Sequence, residues 1–247
     1  MSALLRLEGV TAGYSADIDV LKNVSVEVPA GSVRGLIGLN GAGKSTIMKA
    51  AAGLLALKSG RVLFDGHDIT GIQPHEMIGL GMGYIPQESS LFPYMSVRDN
   101  LTIPLRRRRQ LMGAGGDGDA ARLWRDMLEH FPIVHARLDS KAGALSGGQQ
   151  KQVEFAKAYL LRPSLCMIDE PSIGLSPKIA EQVFDWIGLF AQAGMAILLV
   201  DHNIRKVIEL SDYTYVLSLG EVTGAGPREH FMGDMHEQVK TWLGLNY

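Results

Sequence analysis

The sequence predicts an α/β fold, a mostly parallel sheet with helices on its faces. Three observations carry that prediction. The apolar runs "VRGLI" (33–37), "LCMID" (165–169) and "AILLV" (196–200) are short, continuous and bounded by Gly or charge, as strands buried on both faces are. Helical stretches at 44–52, 148–161 and 178–193 alternate with them. One strand-to-helix junction is the glycine-rich turn "GLNGAGKST" at 38–46.

In chain order, "VSVEV" (24–28) alternates apolar and polar residues with the period of a strand, and "VLFD" (62–65) is a short apolar run after the first helix. From about 88 to 150 the rhythm breaks, with helical pattern at 96–103 and 119–130 and no strand. We read 88–150 as a helical subdomain inserted into a core made of 1–87 and 151–247. Within it, "RRRRQLMGAGGDGDA" (106–120) combines glycines with a charge run, which predicts a flexible solvated loop.

Composition narrows the class further. Lys plus Arg is 24 against 26 for Asp plus Glu, and the net charge of −2 supplies no broad basic field for nucleic acid. The one cysteine, Cys166, excludes an internal disulfide and reads as a buried structural thiol in a reducing compartment. No apolar run approaches the roughly 18 residues of a membrane helix, and "MSALLRLEGV" carries charge too early for a signal peptide. A soluble, cytoplasmic chain is expected.

Gly38, four residues, Gly43, Lys44 and Ser45 fit the phosphate-binding pattern G-x-x-x-x-G-K-S/T, with a strand before and a helix after. Gly38, Gly41 and Gly43 let backbone N–H groups turn inward onto phosphate oxygens. The helix N-terminus adds partial positive charge. Lys44 is expected on the β- and γ-phosphates and the Ser45 hydroxyl on Mg²⁺; Asn40 and Thr46, in the same turn, are further nucleotide contacts.

Asp169 and Glu170 end one predicted strand. Asp169 is placed to hold Mg²⁺ through water, and Glu170, where the strand turns, to orient or deprotonate the attacking water. A neighbouring strand ends in Asp201 and His202, and His202 is expected to hydrogen-bond the γ-phosphate and that water. Lys44, Glu170 and His202 are the catalytic candidates; Ser45 and Asp169 are the metal candidates.

A second glycine turn, "LSGGQQKQ" (145–152), has no lysine of its own. Together with the motifs above it makes the chain resemble, over nearly its whole length, the ATP-binding subunits of ABC transporters. The resemblance implies ATP and Mg²⁺ as ligands, an N-terminal antiparallel β portion, and adenine stacked on Tyr14 of "VTAGYS". It implies that Gln87 of "YIPQESSLFPYMSVRDNL" senses Mg²⁺ and the membrane partner. It also implies that Ser146, Gly147, Gly148 and Gln149 bind nucleotide held by a second copy or a paralogous ATPase, closing head to tail.

The implied partners are transmembrane permease subunits and, indirectly, a periplasmic substrate-binding protein, with no nucleic acid. The implied location is the cytoplasmic face of the inner membrane. Leu91, Phe92, Pro93, Tyr94 and Met95 would grip a permease helix.

Ser176 stands where many members carry Asp. With "GLSP", "VLSLGEVTGAGP" and "WLGLNY" it is similar to the ATPases that import branched-chain amino acids, amides or urea. Lipopolysaccharide-export ATPases, similar in length and in the "PQE" around Gln87, are the alternative. A soluble non-transport ATPase or a nucleotide sensor without turnover are further ones.

Overall fold

The computed structural model describes residues 3–112 and 116–231. In chain order the elements are β1 (Ala3–Ala12), β2 (Leu21–Pro29), β3 (Val33–Gly38), α1 (Lys44–Ala51), β4 (Leu57–Phe64), β5 (His67–Asp68), α2 (Met77–Leu80) and β6 (Met82–Ile85). They continue with α3 (Val97–Met112), α4 (Gly116–His130), α5 (Pro132–Ala136), α6 (Gly147–Leu161), β7 (Leu165–Asp169) and α7 (Pro177–Gln192). The last are β8 (Ala196–Val200), α8 (Ile204–Leu210), β9 (Tyr213–Ser218), β10 (Glu221–Pro227) and α9 (Arg228–Phe231).

Two sheets form. The first, ordered β2-β1-β4-β5, is antiparallel throughout. The second, ordered β10-β9-β3-β8-β7-β6, is parallel except for the β9–β10 hairpin. The continuous apolar runs of β7 and β8 are explained by their two faces. Cys166, Ile168, Ile197 and Leu199 join a core with Phe131, Phe155 and Phe190. Their neighbours Leu165, Met167, Leu198 and Val200 point the other way, onto Leu5, Leu7 and Val26 of the first sheet and Ile47 and Met48 of α1. Each large apolar side chain so buried contributes about 1.5–3 kcal/mol. Cys166 is fully buried, and burial pushes its thiol up to about 12, as suits a structural cysteine.

Between β6 and α6 the chain is helical. Val97 and Leu101 of α3, Leu123 and Met127 of α4, and Phe131 and Val134 share the core of the second sheet's face, where Phe131 and Phe155 both meet Trp186 at 5.4 Å between ring centroids. One expectation is corrected: the arginine run is not a loop. Residues 106–112 continue α3 and 116–120 open α4; 113–115 lie outside the described residues. Arginine is a good helix former. Arg108 donates to the Leu161 carbonyl at the end of α6, and Arg107 reaches Gly79 of α2, so tertiary contacts hold the helix on. The segment "WLGLNY" also falls outside the described residues.

Candidate active site

The turn after β3 is shaped by its glycines. A β-carbon at Gly38 would collide with the Leu217 carbonyl of β9, and Gly41 (φ 79°) and Gly43 (φ 106°) occupy conformations that side chains disfavour. Gly43 is the N-cap of α1, so the first backbone N–H groups of that helix face the turn. Lys44 is only 5% exposed, and its amine donates to the Gly38 and Leu39 carbonyls at 2.9 and 3.0 Å. Burial lowers its pKa against the pull of Glu170 and Asp169. A buried cation resting on the loop's own carbonyls is ready to be taken over by an anion.

The parallel register of β7 and β8 brings the acidic residues to this turn. Ser45 Oγ donates to Asp169 Oδ1 at 3.0 Å, and Tyr84 of β6 donates to Asp169 Oδ2 at 3.3 Å. Burial raises the Asp169 carboxyl and Glu170 adds to the rise, while both hydrogen bonds oppose it. A hydroxyl and a carboxylate side by side form the hard oxygen donor set that Mg²⁺ takes.

Glu170 has a left-handed backbone (φ 46°), with its N–H on the Val200 carbonyl at 2.8 Å. A non-glycine residue in that region is costly and is held there by its surroundings. The turn swings the carboxylate over the strand ends, 3.0 Å from His202 Nε2.

A cavity of about 320 Å³ opens here, lined by Asn40, Gly41, Gly43, Lys44, Ser45, Thr46, Gln87, Glu170, Ile173 and His202. The sequence thus named nearly every lining residue. Tyr14 stands outside this lining, 62% exposed, its ring under the Lys49 amine at 5.5 Å and its hydroxyl 3.4 Å from Thr46 Oγ1. An exposed aromatic face beside the turn is a platform on which a base can stack.

Ser146, Gly147, Gly148 and Gln149 do not line the cavity. Ser146 is the exposed N-cap of α6, and its backbone N–H donates to Gln149 Oε1 at 3.1 Å. That side chain's oxygen is therefore committed to the cap.

Sequence reasoning missed three residues. Tyr84 was hidden in the short strand "MGYI", Ile173 in a loop, and Asp201 behind its neighbour His202. Asp201 is 2% exposed and accepts from Ser172 N at 3.0 Å, Ser172 Oγ at 2.7 Å and Asn203 N at 2.8 Å. It ties the loop after Glu170 to the turn carrying His202.

A phosphate-cradling turn, a buried lysine and paired carboxylates at parallel strand ends define a P-loop nucleoside triphosphatase. Residues 21–173, more than half of the chain, match the family model described as ABC transporter, and the chain belongs to that family. It is 33% identical over 246 residues to the "Lipopolysaccharide export system ATP-binding protein LptB" of Haemophilus influenzae, spanning 99% of each chain. It is 34% identical over 249 residues to the "Probable branched-chain amino acid transport ATP-binding protein LivF" of Archaeoglobus fulgidus, spanning 98% of this chain and 99% of that one. A solved structure of an "ATP binding subunit of ABC transporter" superimposes with a TM-score of 0.81 at 27% identity, over 97% of this chain and 99% of the other. The chain is an ATP-binding and ATP-hydrolysing subunit that powers a transporter.

Proposed function

We propose that this subunit drives import of branched-chain amino acids or a related small polar solute. The carrying observation is Ser176. It is the exposed N-cap of α7, followed by Pro177 in the first helical position, and its side chain makes no capping hydrogen bond there, so a small uncharged residue stands where many members carry Asp. The likeness to the LivF relative supports this reading. The similar likeness to LptB favours lipopolysaccharide export as the second reading.

In the proposed chemistry the N–H groups of Gly41 and Gly43 and the Lys44 amine hold the β- and γ-phosphates. Ser45 and Asp169 hold Mg²⁺, with Gln87 at the cavity mouth as its third contact. When bound, Mg²⁺ supplies the charge that offsets the phosphate oxygens. Glu170 orients the attacking water and receives its proton, and His202 positions both that water and the γ-phosphate.

Adenine stacks on Tyr14. Ser146, Gly147 and Gly148 complete the nucleotide site of a second copy or a paralogue in a head-to-tail dimer. Residues 88–150 work as a helical subdomain against a core of 1–87 and 151–247.

Membrane attachment at the cytoplasmic face is through permeases; no helix among the described residues is long and apolar enough to cross a membrane. The docking segment is 91–95. Phe92, Pro93 and Tyr94 are exposed there while Leu91 and Met95 are half-buried, and Leu54, Ile78, Leu80 and Ile103 expose more apolar surface. Buried Asn100 shapes the segment, accepting from Phe92 N at 2.8 Å and donating to the Phe92 carbonyl at 3.1 Å.

The test is ATPase activity of the chain reconstituted with its permeases in vesicles. Stimulation by a binding protein loaded with a branched-chain amino acid is expected. Stimulation by lipopolysaccharide instead would move the assignment to export.

A further inference from the structure

One charged pair in the helical layer is unexplained by catalysis. Lys151 and Glu154, one turn apart on α6, are 8% and 2% exposed and meet at 2.7 Å. Two ions taken from water cost several kcal/mol each before their attraction is counted, and an apolar pair of equal volume would fold as well. The pair's other contacts all lead to one place. Glu154 Oε1 accepts from the Ser90 backbone N–H at 2.5 Å, and Lys151 Nζ reaches the Pro86 carbonyl at 3.4 Å. One turn further along α6, Lys157 donates to the Ser90 carbonyl at 2.9 Å. Pro86 and Ser90 bracket Gln87.

The same loop is stitched to the start of α6 from its other end. Gly143 N donates to the Pro93 carbonyl and Ala142 N to the Met95 carbonyl, both at 2.9 Å, and Gln150 Nε2 donates to the Ala142 and Leu145 carbonyls. The docking segment, the loop of Gln87 and the glycine turn at Ser146 are therefore joined through α6, with Glu154 holding the loop at Ser90 and Asn100 of α3 holding it at Phe92.

We propose that Glu154 is a positioning residue that fastens the Gln87 loop to the helix carrying Ser146–Gly148, so that Gln87 reaches the cavity only when that helix is in place. This rests on the roles given to Gln87 and Ser146 above. Glu154 touches no nucleotide; it sets where Gln87 stands by holding Ser90 to α6.

The test replaces the pair by apolar residues of similar volume, Lys151→Met with Glu154→Leu, in the full chain. Amide hydrogen exchange of the nucleotide-free chain is expected to run roughly tenfold faster at 88–91, while α6, α3 and the strands keep their protection. The Mg²⁺ concentration for half-maximal ATPase rises several-fold, with ATP affinity unchanged, because Gln87 is no longer held. Lys151→Met with Glu154→Gln keeps an acceptor for the Ser90 N–H and restores both readouts.

Wild-type exchange at 88–91 with wild-type Mg²⁺ dependence in the Met/Leu variant overturns the proposal. So does loss of protection throughout α6, which would make the pair an ordinary packing contact. The exchange arm needs no turnover, so it reports on the latch even where the wild-type chain proves inactive, an outcome that would count against the proposed catalytic roles alone.

Discussion

Two glycine-rich turns open two helices in this chain, and they are built for opposite ends. The turn at Gly38–Ser45 is closed around its own cavity: Lys44 is buried, Gly38 is pressed against Leu217, and its helix begins at a left-handed Gly43. The turn at Leu145–Gln149 faces outward. Ser146 is exposed, and a β-carbon at Gly147 would meet nothing within 4 Å. The first glycines are required by backbone shape, whereas Gly147 is not required by anything in this chain. Its openness is what the proposed head-to-tail dimer needs, with the missing cation supplied by the partner's Lys44.

The largest expected effect tests the closed turn. Glu170→Gln is predicted to bind ATP normally while its turnover falls by about 10²–10⁴-fold, the usual cost of losing a general base, as phosphate release will show. Near-normal turnover would remove Glu170 from the mechanism and leave His202 to act alone.

Ser146→Arg tests the open turn. It is predicted to cut hydrolysis by more than about a hundredfold, as loss of preorganised contacts to a developing charge does, with nucleotide affinity of the isolated chain unchanged. Loss of affinity instead would mean that the two turns serve one site.

Asp201→Ala comes next. It leaves the Ser172 and Asn203 N–H groups without their acceptor, and misplacement of His202 and the loop at Ile173 is predicted to lower kcat roughly tenfold with little change in KM. Equal changes in both would point to a binding role. The smallest effect is Tyr14→Ala: ATP affinity measured by calorimetry is predicted to weaken roughly five- to tenfold, the low end of base stacking, because the ring is exposed. Unchanged affinity would leave the exposed ring without a role in binding.

The strands were legible where they are buried on both faces, since β7 and β8 have no polar residue before their ends. β10, "EVTGAGP", was missed because its glycines mimic a turn, and β6 because four residues carry too little pattern. The arginine run misled because local composition resembles a loop, while Arg108 donates to the end of α6 and Arg107 lies beside Gly79 of α2, both distant in sequence.

At the site, the sequence alone determined the residues whose chemistry depends on local spacing. A phosphate cradle is one turn of chain, so Gly38 to Thr46 could be read directly, and the carboxylates follow from one strand end. Only the tertiary structure decided what lies between segments: Tyr84 beside Asp169, Asp201 between two loops, and Glu154 under the Gln87 loop. Those bonds join residues 29 to 85 positions apart, and sequence periodicity carries no record of contacts that only the folded layers bring together.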